Sequence, residues 1–247
     1  MRILSVSIFL VFILSSCEEE QPTAVDYNEI VLDSLIVQNF YDDAKQLYFD
    51  ELYDNPSHQN NDTSLIYEDE INDILKVIQA VYDSDLPQRD TVFEKYDIHA
   101  RYCYDFSAIS LNVAPDSTEI KNLVDGEIPT GQQHLDSLIN TYGFDSVNTA
   151  ANYPETPWLK LFCAEEFNMI PIKKSFSKVP SVIAAKIVKG CGGDGNNIIL
   201  DRGNNEATIT FSIGRGDCWS GCLYHKYWVF RIRGTKSEFV QSWESGE

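Results

Sequence analysis

The sequence predicts an α+β fold: a helical N-terminal region, a mixed middle, and a C-terminal region of strands alone. Three observations predict it. Apolar residues recur at steps of three and four between positions 39 and 82, strand-like and helix-like segments alternate between 106 and 188, and beyond 196 short alternating runs are separated by glycine- and asparagine-rich turns.

In the first region, Phe40, Ala44, Leu47, Tyr48 and Leu52 form one stripe and predict a helix over Asn39 to Tyr53, stopped by Asp54-Asn55-Pro56. After a polar loop, Ile71, Ile74, Leu75, Ile78 and Val81 predict a second helix over Glu68 to Tyr82. Its opening acids, Glu68, Asp69 and Glu70, suit the positive end of a helix dipole. Two helices joined by a loop of about ten residues are expected to pack antiparallel.

The middle reads as strand (Phe106 to Val113), interrupted helix (Thr118 to Tyr142, broken at Pro129 to Gly131), strand (Ser146 to Ala151) and strand (Trp158 to Ala164). A helix capped by Asn168 (Asn168 to Lys178) and a strand (Ser181 to Val188) complete it. Gly143 supplies the left-handed residue that closes the interrupted helix. This order is the ferredoxin-like split β-α-β unit, four antiparallel strands covered by two helices. The last region predicts a meander of Asn196 to Leu200, Ala207 to Ile213, Leu223 to Arg233 and Glu238 to Trp243. In its longest strand Trp228, Phe230 and Ile232 share the core face, and Tyr227, Val229, Arg231 and Arg233 the wetter one.

The start of the chain carries an address. Arg2 precedes a twelve-residue apolar run, Ile3 to Leu14, too short to span a bilayer, and Leu14-Ser15-Ser16-Cys17 follows with the pattern of a lipobox. Small residues before the cysteine admit a signal peptidase, and the thiol accepts the lipid. Residues 1–16 are therefore expected to be a signal peptide, and Cys17 a lipidated residue holding the mature chain to a membrane. Each buried acyl methylene contributes about 0.8 kcal/mol, so two or three chains make a lasting anchor. Residues 17–26 form an acidic tether opening with Glu18, Glu19 and Glu20, and it resembles the tether of Bacteroidetes-type lipoproteins sent to the outer face of the outer membrane. The localisation expected is the cell outer membrane, facing outward, with the periplasmic face as the alternative.

The remainder divides into an acidic helical region (27–104), the ferredoxin-like region (105–189) and the antiparallel region (190–247). Charge is uneven: 21 acidic against 4 basic residues from Glu18 to Ala100, 10 against 3 from Arg101 to Ile170, and 7 against 11 from Pro171 to Glu247. So acidic a surface repels a phosphate backbone and argues against nucleic acid as a partner. With Cys17 given to lipid, Cys103, Cys163, Cys191, Cys218 and Cys222 remain, and in an oxidising compartment an odd number leaves one unpaired. Cys218 with Cys222 is the first pairing expected, across a loop eased by Gly221, and Cys103 with Cys163 the second.

Gly195-Asn196-Asn197-Ile198, Ile209-Thr210-Phe211-Ser212-Ile213, Gly216-Asp217-Cys218-Trp219-Ser220-Gly221-Cys222 and Tyr227-Trp228-Val229-Phe230 together resemble a C-terminal unit of secreted or lipid-anchored Bacteroidetes-type proteins. The stretch Tyr41 to Trp243 is similar to lipoproteins of the same bacteria, a resemblance that carries no activity with it. The run Leu135 to Val188 resembles the propeptide and inhibitor modules of subtilisin-like proteases, which implies the ferredoxin-like fold and, more weakly, inhibition.

Candidate sites are few. Cys218, Cys222 and His225 have a spacing that suits zinc, but a disulfide beside a strand histidine fits an oxidising compartment better. Asp194, Asn196 and Asn197 in Gly192-Gly193-Asp194-Gly195-Asn196-Asn197 resemble one copy of a calcium-binding turn, or simply a turn that needs residues tolerant of positive φ. Arg215-Gly216-Asp217 spells an adhesion tripeptide, and Trp219 in the cysteine loop is the best candidate for a contact residue, its alternative being a core aromatic over the disulfide. No histidine pair with glutamate, nucleophile elbow or phosphate-binding loop is present, and His58, His99, His134 and His225 are scattered. The nearest carboxylate pair is Glu165 and Glu166. No cofactor is expected. The function expected is a non-enzymatic, lipid-anchored protein that binds a protein or glycan through Trp219, Asp217 and Arg215. The rivals are a propeptide-like protease inhibitor or folding module, and a hydrolase using a carboxylate pair.

Overall fold

The computed structural model describes residues 29–114, 120–150, 157–203 and 206–246. The expected signal peptide, the expected lipidation residue Cys17 and the expected acidic tether lie outside the described residues, among which no helix is long and apolar enough to cross a membrane. The fold is α+β: N-terminal helices and two antiparallel four-stranded sheets.

Helix α1 (Ser34–Asp54) and helix α2 (Glu68–Tyr82) pack against each other. The Asp33 N–H donates to Gln79 Oε1 at 3.0 Å, which sets the start of α1 beside the end of α2, as an antiparallel pair requires. Helix α1 begins five residues before the sequence-based start at Asn39, because Asp33 caps it, accepting from the Leu35 N–H at 2.8 Å, and Ile36 continues the buried stripe. Beyond Leu86, Pro87 opens a short helix α3 (Pro87–Asp90) that runs into a turn of π-helix at Thr91–Lys95 and buries Val92 and Phe93. Only a break is expected there from the sequence, since Pro87 reads as a stop before it reads as an N-terminal first-turn residue.

Strand β1 (Tyr104–Val113) is followed by short α4 (Lys121–Val124), α5 (Gln133–Thr141), β2 (Phe144–Ala150), β3 (Trp158–Cys163), α6 (Met169–Phe176) and β4 (Val182–Lys189). The sheet order is β2-β3-β1-β4, every neighbouring pair antiparallel, which is the split β-α-β arrangement expected. Asn168 caps α6, accepting from the Ile170 N–H at 3.0 Å, while its own amide donates to the carbonyls of Asn60 and Thr63 and so ties the interhelical loop to α6. Gly143 adopts φ 65°, the left-handed conformation that ends α5.

The second sheet is a plain meander, β5 (Asn197–Arg202), β6 (Ala207–Arg215), β7 (Tyr224–Arg233) and β8 (Lys236–Ser245). Its inner face, Ile198, Ile209, Phe211, Trp228, Phe230 and Ile232, is buried, and α2 lies against β6, β7 and β8. Phe93 meets Phe211 edge-on at 5.3 Å, and Phe40 meets Phe93 at 5.4 Å, so the helical region and the meander share side chains. Buried residues of all three sequence regions form one cluster.

Two disulfides are present, Cys103–Cys191 and Cys218–Cys222, and Cys163 is free and buried. The pairing of Cys103 with Cys163 is thus corrected. Strand β4 runs antiparallel beside the start of β1, with Tyr104 opposite Lys189 and the Gly190 N–H donating to the Cys103 carbonyl at 2.9 Å, so the register carries Cys191 to Cys103. Cys163 sits instead beside Ser107, whose carbonyl lies 3.2 Å from its sulfur. Four residues of extended chain separate Ser107 from Cys103, about 13 Å, beyond the reach of a disulfide.

Candidate functional site

The loop between β6 and β7 is pinned from several directions. Cys218–Cys222 closes it, Ser220 Oγ donates to Asp217 Oδ2 at 3.0 Å, and the Leu223 N–H donates to the Arg215 carbonyl at 2.9 Å. From outside the loop, Asp194 Oδ1 accepts from the Cys222 N–H, and His225 Nε2 lies 2.8 Å from the Asp194 carbonyl. Two glycines make these approaches possible: a side chain on Gly214 would collide with the Cys222 sulfur, and one on Gly193 with the Cys218 carbonyl.

The loop so held presents Trp219 at 90% exposure. The alternative of a core aromatic covering the disulfide is overturned: Trp219 projects from the loop, with one edge of its ring over Gly192. Leu223 and Tyr224 beside it are exposed as well. On the outer face of β7 and β8, half-buried Tyr227 stacks on exposed Trp243 at 4.7 Å and 15°, and the mostly covered His225 stacks on Tyr227 at 5.8 Å. Exposed aromatics on a fixed frame lose little side-chain freedom on binding, the physical reason such residues anchor interfaces.

Two clefts flank this surface. On one side Tyr96, Ile213, Arg215, Tyr224, His225, Lys226 and Glu244 line a cleft of about 300 Å³. Arg215 Nη2 donates to the Tyr96 hydroxyl at 3.3 Å there, so Arg215 faces the cleft, whereas Asp217 is engaged within its own turn. On the other side, next to Gly192, a cleft of about 400 Å³ is lined by Asp97, His99, Arg101, Tyr102 and Asn196 among others. Beneath it lies fully buried Asp43, which takes His99 Nδ1 at 2.8 Å and the Ala100 N–H. The hydrogen bond to Asp43 outweighs burial and holds the His99 imidazole above its ordinary range; Phe40 stacks beneath the ring at 4.8 Å. Burial first, and then the charge of Asp43, push the Tyr102 phenol up to about 12. In the sequence His99 reads only as one of four scattered histidines and Asp43 carries no signal, because 56 positions separate the two and no local pattern joins them.

The calcium-type turn does not assemble. Asp194 serves the Cys222 N–H and His225, Asn197 Oδ1 accepts from the Arg101 N–H at 2.9 Å, and Asn196 lines the second cleft, so the three side chains point to three different tasks. The turn reading explains them better. Among the described residues, the group of metal-type ligands that converges is Asp194, Cys218 and Cys222, within 4.8 Å, and here the two sulfurs are bonded to each other. The carboxylate pair is likewise split: both oxygens of Glu166 accept from Lys45, at 2.9 and 3.1 Å, while Glu165 is exposed. A groove of about 1040 Å³ between α1 and β5 gathers Asp50, Glu51, Asp54, Asp73 and Asp201 around Arg101 and Arg202.

Comparisons with family models, curated proteins and solved structures return no match for this chain.

Proposed function

We propose that the mature chain is a lipid-anchored, outward-facing binding protein that engages a protein or glycan through the Trp219 loop and the Arg215 cleft beside it. The observation that carries this reading is the near-complete exposure of a tryptophan on a loop held by a disulfide, an aspartate and two obligatory glycines. Solvating so large an apolar ring on a fixed frame is unfavourable by a few kcal/mol, about 2–3 for a large apolar side chain, and a partner that covers it recovers that term. The anchor rests on Leu14-Ser15-Ser16-Cys17.

Chemical crosslinking of intact cells tests the site. A discrete adduct of the wild-type chain that Trp219→Ala loses, with the thermal midpoint unchanged, supports it; an adduct indifferent to Trp219→Ala overturns it. Radiolabelled palmitate tests the anchor, which requires label in the wild-type chain and none after Cys17→Ser.

A second reading, a propeptide-like protease inhibitor, draws on the strand order β2-β3-β1-β4. Fold alone carries no activity. Incubation of the Cys17→Ser chain with a subtilisin-class protease separates the readings, since rapid digestion without inhibition removes this one.

A further inference from the structure

The Cys218–Cys222 disulfide has two neighbours whose chemistry is that of metal ligands. One oxygen of the Asp194 carboxylate and both sulfurs lie within 4.8 Å of one another. His225 Nε2 stands 3.4 Å from Asp194 Oδ2, its side chain only 16% exposed. The spacing Cys218-x3-Cys222-x2-His225 falls within the range zinc sites use, and Asp194 enters from the turn before β5. A tetrahedral site with bonds of about 2.0 to 2.3 Å spaces its ligand atoms about 3.3 to 3.8 Å apart, so the sulfurs must separate from bonding distance and His225, beside Asp194 Oδ2, must turn onto the ion with them.

We propose that this loop is a redox-gated metal site: closed by a disulfide when oxidised, and, when reduced, binding one zinc-class divalent ion through Cys218, Cys222, Asp194 and His225. The reductant is a dithiol. Its first thiolate attacks one sulfur of the disulfide and displaces the other as a thiolate; its second thiol then releases the mixed disulfide. Two electrons and two protons pass to the protein, which now holds two thiols, and the dithiol leaves as its own disulfide. Binding of the ion expels the two thiol protons and forms two metal–sulfur bonds. The imidazole moves its ring proton from Nε2 to Nδ1 and gives the Nε2 lone pair to the ion in place of the hydrogen bond to the Asp194 carbonyl. One carboxylate oxygen of Asp194 stays on the Cys222 N–H, which leaves the other for the ion and orients it.

Three features favour this loop over the other disulfide. Both of its cysteines are partly exposed, whereas Cys103 is buried, so a reductant reaches it first. It spans a sequence separation of 4, so opening it frees little chain. Finally, His225 is held by the pairing of β7, opposite Gly214 and Ser245, and Asp194 lies in the turn before β5, so neither relies on the disulfide for its place.

The test uses the Cys17→Ser chain and cobalt(II) as a spectroscopic stand-in for zinc. The chain is reduced anaerobically with a water-soluble phosphine, which leaves as its oxide with an oxygen from water and adds no thiol ligand. The proposal predicts a thiolate-to-cobalt charge-transfer band that saturates at one equivalent, is abolished by added zinc, and is missing from the unreduced chain. Asp194→Asn and His225→Gln each weaken cobalt binding at least tenfold, and Cys218→Ser with Cys222→Ser removes the band. No band in the reduced chain overturns the proposal. So does a band that survives the double serine variant, which would belong to Cys103, Cys163 or Cys191, and so does one indifferent to both Asp194→Asn and His225→Gln.

Discussion

Arg202 of β5 grips Glu51 of α1, Nε donating to Oε1 at 2.7 Å, while its Nη2 reaches the second oxygen of Glu51 and, at 3.0 Å, Glu70 of α2. One guanidinium thereby ties the meander to both N-terminal helices, and all three side chains are mostly withdrawn from water, at 18%, 19% and 25% exposure. Burial works against the Arg202 charge, and Glu51 and then Glu70 outweigh it, so the guanidinium is held above its ordinary range.

Removing Arg202 leaves two carboxylates facing each other in a half-dry site. Arg202→Ala is predicted to destabilise the chain by about 2 kcal/mol, less than the roughly 3–5 kcal/mol of a fully buried pair because water still reaches these groups. Arg202→Met combined with Glu51→Leu and Glu70→Gln recovers most of the loss. Urea unfolding checks both; an Arg202→Ala chain within about 0.5 kcal/mol of wild type contradicts the role.

The two disulfides differ in what they restrain. Cys103–Cys191 spans 88 positions and Cys218–Cys222 only 4. In the chain-entropy account the first contributes about 4 to 5 kcal/mol and the second about 2. Paired serine substitutions are predicted to follow that order in urea midpoints, and the reverse order would show that the small loop is the tighter brace.

Cys163 lies buried, and burial first, then nearby Asp145 and Asp105, push its thiol up to about 11. Thiolate is the reactive form, so at pH 8 the folded Cys17→Ser chain is predicted to leave a disulfide-exchange reagent unconsumed, and to react with one equivalent once unfolded in denaturant. Rapid reaction of the folded chain contradicts the assignment of Cys163 as the interior thiol.

His99 carries a pH signature. Its folded pKa is raised by the hydrogen bond to Asp43 above the ordinary 6.5, so its contribution to stability is full below that value and falls away as pH rises through the raised one. The gap in thermal midpoint between wild type and His99→Gln is therefore predicted to be widest near pH 5 and to narrow steadily above pH 6.5. A gap independent of pH between 5 and 9 contradicts this.

Much of the fold was legible because its signals are local. Helix α2 matches its apolar stripe at both ends, Asn168 and Gly143 act as the cap and stop their residue types suggest, and the strand order of the middle region follows from the order of its elements. Long-range pairings were less legible. Cys191 reaches Cys103 through the β1–β4 register, Arg202 finds Glu51 across 151 positions, and Asp43 finds His99 across 56; none of these leaves a periodic trace. At the candidate site the cysteine loop and Trp219 could be read from spacing and residue type. The clefts on either side could not, since each is assembled from segments far apart in the chain.

The binding account is tested most directly by placing a photoactivatable diazirine amino acid at position 219, and in a separate chain at the equally open Val31, exposed at 86%, and irradiating intact cells. The account predicts a discrete covalent adduct from position 219 and none from position 31. No adduct from position 219, or the same adduct from both, contradicts it.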